Sequence, residues 1–261
     1  MPKRVSIAVG AVAALLTLVL AGPAGAQPST PQAQSPLNSV LSLLSSLLKT
    51  APRPAPAPAP QTAPTTTTTV PAVRNLDTGA SGPAVAQLEQ RLDALHYFVG
   101  TIDDKYDDDT FEAVMAFQKV NGLKRTGTVD GGSLWAAMQQ ATTPAPLVPN
   151  GGPDRVEVDL SRQVLFLYKG GQLAKIIAVS SGTKATPTPA GDFRIYRFDP
   201  GWTTSPLGRL YNAEYFVGGY AIHGSTSVPE APASHGCVRI PMTAADWFPD
   251  QVTNGMPVYI R

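Results

Sequence analysis

Ala221-Ile222-His223-Gly224, followed shortly by Ala233-Ser234-His235-Gly236-Cys237-Val238-Arg239, sets two of the chain's three histidines just upstream of its only cysteine. A lone thiol has no internal disulfide partner, so it pairs with another molecule or stays free and reactive. Two imidazoles close by favour the free thiol, because a neighbouring base can take its proton or a cation can hold the thiolate. The bland alternative is a small buried hydrophobe, which leaves the His-Gly partners unexplained. Gly236 lets the chain turn tightly and brings backbone N–H groups near the sulfur, where they can hold an oxyanion for about 3 kcal/mol per donor. His223, at the end of the preceding strand, is the natural proton acceptor.

Around this motif, from Val156 onward, the residues follow a two-residue period. Val156-Glu157-Val158-Asp159-Leu160 alternates, Gln163 to Tyr168 is β-rich, and Gly170-Gly171 signals a hairpin returning through Leu173 to Ser180. Asp192 to Phe198, Phe216 to His223, Val238 to Ile240 and Val258 to Ile260 are read as further strands, with a short helix around Ala244 to Phe248. The expected fold is mostly β, a sandwich or partial barrel with one short helix.

Upstream the period changes. Pro83 suits a first helical turn, and Val85, Leu88, Leu92 and Leu95 follow at helical spacing. Asp109-Thr110-Phe111-Glu112 matches an N-cap with a carboxylate three residues on. Val114, Phe117 and Val120 continue that helix, Gly122 stops it, and a third short helix holds Leu134, Trp135 and Met138. The aspartates from Asp103 to Asp109 fit no EF-hand spacing and are read as a solvated loop before a capped helix. His96 is read as a partly buried residue at the end of the first helix.

The N-terminal part reads as delivery and spacing. Pro2-Lys3-Arg4, the apolar run Val5 to Ala21 and the small residues Ala24-Gly25-Ala26 predict a signal peptide over 1–26. A retained membrane anchor is the alternative, since the run approaches spanning length. Residues 27–72 form a Pro/Ala/Thr-rich linker. Within it Ser35 to Thr50 carries leucines on one helical face, and Ala51 to Pro71 favours extended polyproline geometry. The expected modules are 73–141 and 154–261, joined by a second linker at 142–153. Net charge is +1 with 15% charged residues, which argues against nucleic acid as a partner. The protein is expected outside the cytoplasmic membrane, in the cell wall or envelope, touching the membrane only through an uncleaved signal segment.

Two resemblances follow. Gly82, Val85, Leu88 to Leu92, Leu95 to Tyr97, Thr110, Val114, Phe117-Gln118, Gly122-Leu123 and Gly127 resemble the peptidoglycan-binding family of three-helix modules. Thr186-Pro187-Thr188-Pro189-Ala190-Gly191, Ala221 to Ser225 and Pro232 to Pro241 resemble the L,D-transpeptidase catalytic domain. That resemblance implies Cys237 as nucleophile, His223 as its base and the Gly224 carbonyl as the group orienting the base. It also implies an oxyanion hole from the His235, Gly236 and Cys237 amides, with the His235 side chain lining the acyl pocket beside Ser234. Arg239 would meet a substrate carboxylate, with a surface salt bridge as its alternative. Tyr211 and Asn212 either line the donor site or only pack. The implied substrates are peptidoglycan stem peptides, released D-alanine is the product, and β-lactams of the carbapenem class are inhibitors. Transfer to an amine gives a cross-link between third residues; transfer to water or to a protein amine are the alternatives, and a catalytically inactive wall-binding scaffold is the non-enzymatic rival. No metal or cofactor is called for.

Overall fold

Gly170 and Gly171 both adopt positive φ (57° and 84°), the conformation of a two-residue hairpin turn that only glycine takes at low cost. The computed structural model describes residues 75–206 and 208–261; the stretch read as a signal peptide, the apolar segment at 35–50 and the proline-rich linker lie outside these. The turn joins β2 (Val164–Lys169) to β3 (Gln172–Ala178). With β1 (Arg155–Asp159), β9 (Pro257–Ile260) and β4 (Gly191–Arg194) they form a five-stranded sheet of order β3-β2-β1-β9-β4. A second sheet runs β5-β6-β7-β8, with β5 at Arg197–Ser205, β6 at Gly208–Val217, β7 at Tyr220–Gly224 and β8 at Val238–Ile240. Val156, Val158, Leu165, Leu167, Ile222, Val238, Ile240 and Val258 meet in one core cluster with residues of both sheets, as in a mostly-β sandwich.

Three strand expectations need correction. Asp192 to Phe198 is two strands: β4 pairs with β9 while β5 pairs with β6, so the chain changes sheet around buried Ile195. Phe216 to His223 is broken by a turn at Gly218-Gly219, and β6 begins at Gly208. The β5–β6 hairpin was hidden by Pro200-Gly201, which the ladder absorbs as an irregularity between Asp199 and Trp202. β1 alternates in sequence yet is buried throughout. Fully buried Glu157 accepts hydrogen bonds from Arg155 Nε (2.6 Å) and the Leu147 N–H (2.7 Å), so the segment before β1 covers the carboxylate. Arg155 lies over the Tyr168 ring at 3.7 Å, and a buried charge so paired and hydrogen-bonded is tolerated. The last helix, α4 (Met242–Trp247), runs into a 3₁₀ turn at Phe248–Asp250.

Upstream, α1 (Pro83–Ala94), α2 (Asp108–Val120) and α3 (Ser133–Gln140) form the helical region. Pro83 stands in the first turn of α1 and Gly122 follows α2 with φ 64°. The cap of α2 is Asp107, not Asp109: its Oδ1 accepts from Asp109 N and Thr110 N, both at 3.0 Å. The acidic loop is pinned by buried Glu89, which accepts from Thr110 Oγ1 at 2.8 Å and from the Asp103 and Asp104 amides. His96 takes φ 70°; its carbonyl accepts from Ile176 N (2.7 Å) and Phe98 N donates to Ile176 O (2.9 Å). Residues 96–98 thereby extend the edge of β3.

The helices cover one face of that sheet. Val164, Phe166 and Ile176 share a hydrophobic cluster with Leu88, Leu92 and Phe117, while Leu165, Leu167 and Ile177 face the other sheet. β2 is buried on both faces, which explains its unbroken apolar run. Lys119, 1% exposed, drives its ammonium onto the Val179 carbonyl at 2.9 Å. Among the described residues no helix is long and apolar enough to cross a membrane.

Candidate active site

β7 and β8 run parallel, with Ile222 opposite Val238, His223 opposite Arg239 and Gly224 opposite Ile240. Parallel strands put matching ends together, so the crossover from Ser225 returns to set Cys237 beside the start of β8, next to the base-bearing strand. His223, Cys237, Ser234, His235 and Arg239 line one cavity of about 260 Å³ with Arg209, Leu210 and Ser225. No carboxylate lines it among the described residues.

His223 is 4% exposed, and its Nδ1 lies 2.8 Å from the Gly224 carbonyl. A carbonyl only accepts, so Nδ1 carries the hydrogen and Nε2 is left as the proton-accepting nitrogen. Burial, reinforced by the Arg239 charge, pushes the imidazole down to about 4 against the pull of the Gly224 bond. Cys237 is 3% exposed among Leu210, Ala213, Tyr215 and Ala221, and its Sγ donates to the Gly219 carbonyl at 4.0 Å. Burial raises the thiol, while the Ala221 N–H and Arg239 draw it down. Burial thus favours the neutral form of both the thiol and the imidazole.

The turn before the cysteine is fixed by Ser234. Its hydroxyl accepts from Gly236 N at 3.0 Å and donates to the Cys237 carbonyl. Ser234 is therefore a brace for the turn and not a free substrate donor, and the Gly236 amide is already engaged. Gly236 has φ 115°, and a Cβ there would lie 2.3 Å from the Tyr220 ring, so both backbone and space demand glycine. A Cβ on Gly224 would meet Ala245 at 2.7 Å, so α4 holds the carbonyl that orients His223.

A segment not singled out in the sequence cradles this turn. Ser181 O accepts from the Ala233 and Ser234 amides (2.9 and 3.0 Å), and Ser234 O accepts from Thr183 N (3.1 Å) and Thr186 Oγ1 (3.0 Å). Gly182 packs so closely that a Cβ would stand 2.8 Å from Gly236 Cα. The small-residue run Ser180-Ser181-Gly182 was the available signal. Tyr211 and Asn212, by contrast, have their polar groups engaged by other parts of the fold. Tyr211 OH donates to Asp246 Oδ1 (2.6 Å), and Asn212 bridges Gly201 N (2.7 Å) to the Ala245 carbonyl (3.1 Å). They fasten the β5–β6 hairpin to α4. Arg239 makes no ion pair among the described residues, leaving its guanidinium to the cavity. Arg209, absent from the sequence reading, lines the same cavity.

Residues 153–260 match the model of the L,D-transpeptidase catalytic domain, and residues 81–138 match that of a putative peptidoglycan-binding domain. The chain is similar to the L,D-transpeptidase from Xylanimonas cellulosilytica DSM 15894, with 38% identity and TM-score 0.68 over 72% of this chain and 98% of that one. It is also similar to an L,D-transpeptidase from Stackebrandtia nassauensis, with 22% identity and TM-score 0.44 over 71% of this chain and 94% of that one. L,D-transpeptidase 3 from Mycobacterium tuberculosis, solved with a faropenem-derived adduct, matches at 17% identity and TM-score 0.39 over 42% of this chain. The chain spans 60% of that protein's length. No curated protein matches the chain.

Proposed function

The chain belongs to the L,D-transpeptidase family, and from that premise we propose that it is a cysteine acyltransferase acting on peptidoglycan stem peptides outside the cytoplasmic membrane. The observation that carries the mechanism is a buried imidazole, pinned through Nδ1 to Gly224, in the same cavity as a buried thiol and a guanidinium with no ion pair among the described residues. The Cys237 Sγ attacks the amide carbonyl joining the third stem residue to terminal D-alanine while His223 Nε2 takes the thiol proton. The His235 and Cys237 amides receive the oxyanion. Gly236, whose amide serves Ser234, gives the turn its shape. On collapse the C–N bond breaks, His223 returns the proton to the leaving nitrogen, and D-alanine departs with its carboxylate on Arg239. An amine on the third residue of another stem then attacks the thioester. Its proton passes to His223, the S–C bond breaks, and a cross-link between third residues remains.

The helical region is the wall-docking part of this reading, and residues 1–26 are its export signal. Carbapenems would acylate the same sulfur. Intact mass after carbapenem exposure should rise by one adduct in the purified protein and stay unchanged in Cys237→Ala; an adduct on the alanine variant would rule the sulfur out. Incubation with stem tetrapeptides, read by mass spectrometry, should yield free D-alanine and a cross-linked dimer, whereas tripeptide alone would place water as the acceptor.

A further inference from the structure

Glu214 on β6 is 3% exposed and has no part in the acyl-transfer chemistry. It makes no hydrogen bond or ion pair among the described residues. Burial pushes its carboxyl up to about 7, and no neighbouring donor or charge opposes that rise. A buried acid left in this way is costly unless something outside the chain serves it. Its oxygens are not sealed in: among the described residues, the unpartnered polar side-chain atoms shut off from solvent are Glu112 Oε2 and Tyr168 OH. The Glu214 carboxyl opens onto a cavity of about 310 Å³, which Ile195, Phe198, Val252, Thr253 and Asn254 also line.

This cavity is not the catalytic one, and the two share no lining residue. Ala213 and Tyr215 pack in one cluster with Cys237. Successive side chains of a strand alternate in face, so Glu214, between them, points away from the sulfur. Arg197 borders the cavity, but its guanidinium stands 3.8 Å over the Tyr215 ring and pairs with Asp199 at 3.4 Å. The acid is therefore not neutralised from within the chain. Phe198 lies directly opposite Glu214 in the β5–β6 ladder, which puts both side chains on one face. Its ring is 42% exposed, so an aromatic face borders the carboxyl. Thr253 and Asn254 add a hydroxyl and an amide oxygen. A carboxylate, an amide oxygen and a hydroxyl all accept, and an ammonium group brings three donors and no acceptor. The same ring attracts a cation, while Ile195 and Val252 suit an aliphatic stem behind it. A metal ion fits less well, because no group of three or more His, Cys, Asp or Glu residues gathers among the described residues.

We propose that this cavity is a second binding site, which holds a primary ammonium group on an aliphatic arm against Glu214. Two sources carry that chemistry: a free small amine, and the third-residue amine of a stem not yet cross-linked.

The test is a ligand-observed NMR titration of the full chain with n-pentylamine and with n-pentanol, which matches it in shape but carries no charge. No turnover is involved, so the result stands apart from the acyl-transfer reading. At pH 8 the ammonium should bind about tenfold or more tightly than the alcohol, the worth of one charged hydrogen bond. Going to pH 6 protonates a carboxyl held near 7, and should cost the ammonium about tenfold in affinity while the alcohol keeps its own. Glu214→Gln should bring the ammonium down to the alcohol's affinity, and Phe198→Leu should weaken it about threefold. Equal wild-type affinities for the two probes, or an ammonium affinity that survives Glu214→Gln, would overturn the site. The wild-type contrast and its pH dependence decide the matter even if Glu214→Gln does not fold. A stem tripeptide, compared with the same peptide acetylated on its third-residue amine, tells the sources apart. A Glu214-dependent preference for the free amine supports the wall as source, and pentylammonium binding without that preference supports a free amine.

Discussion

At the scale of single residues, the grouping of thiol, imidazole and guanidinium was legible and the effect of burial on them was not. His-Gly and Ser-His-Gly-Cys-Val-Arg are local patterns that set thiol, imidazole and guanidinium close in sequence, and the fold brings all three to one cavity. The burial that pushes the thiol towards its neutral form comes from Leu210, Ala213 and Tyr215, which no short motif encodes. A measurable pH profile follows. An imidazole must be unprotonated to accept, and His223 stays so down to about 4 where a free histidine is half charged near 6.5. The acylation rate with a carbapenem should therefore hold nearly level from pH 7 to pH 5 and fall only below that. A rate already halved at pH 6.5 would mean that the ring is not held as described. That Ser234 braces the turn and Asn212 the hairpin was not legible for a plain reason: a hydroxyl or amide near a site reads alike in sequence whether it meets substrate or braces a turn.

At the scale of elements, success tracked the visibility of the turn. Gly170-Gly171 fixed β2 and β3 correctly because paired glycines mark a tight reversal. The β5–β6 hairpin escaped because its irregularity contains Pro200-Gly201, residues that normally end strands. Asn212 repays attention here: it sits at φ 46° and ties the Pro200-Gly201 bend to α4 through both ends of its amide. Asn212→Ala loses these bonds and an uncommon backbone state that asparagine tolerates. It should cost about 1–3 kcal/mol of stability by urea unfolding. Carbapenem acylation should slow with it, because Arg209, which lines the catalytic cavity, rides on the same hairpin. An unchanged urea midpoint would show that the hairpin is held by other contacts.

At the scale of the whole molecule, the sequence suggested two modules, and the described residues join them through a shared hydrophobic cluster and a short extension of a sheet. Contact of this kind was illegible because Val164, Phe166 and Ile176 have the pattern of any buried strand, and only the fold reveals which neighbour covers them. A chain lacking residues 75–141 should uncover these side chains, at roughly 1.5–3 kcal/mol each. It should then bind a hydrophobic dye and melt at lower temperature than the full chain; a cleanly folded, dye-silent β part would refute the shared core. One further consequence lies in the parallel pairing of β1 with β9. The last strand of the fold to be synthesised is inserted between β1 and β4, in the middle of its sheet. Until residues 257–260 emerge, β1 and β4 lack the strand that joins them, so the five-stranded sheet closes only after both of its other arms have been made.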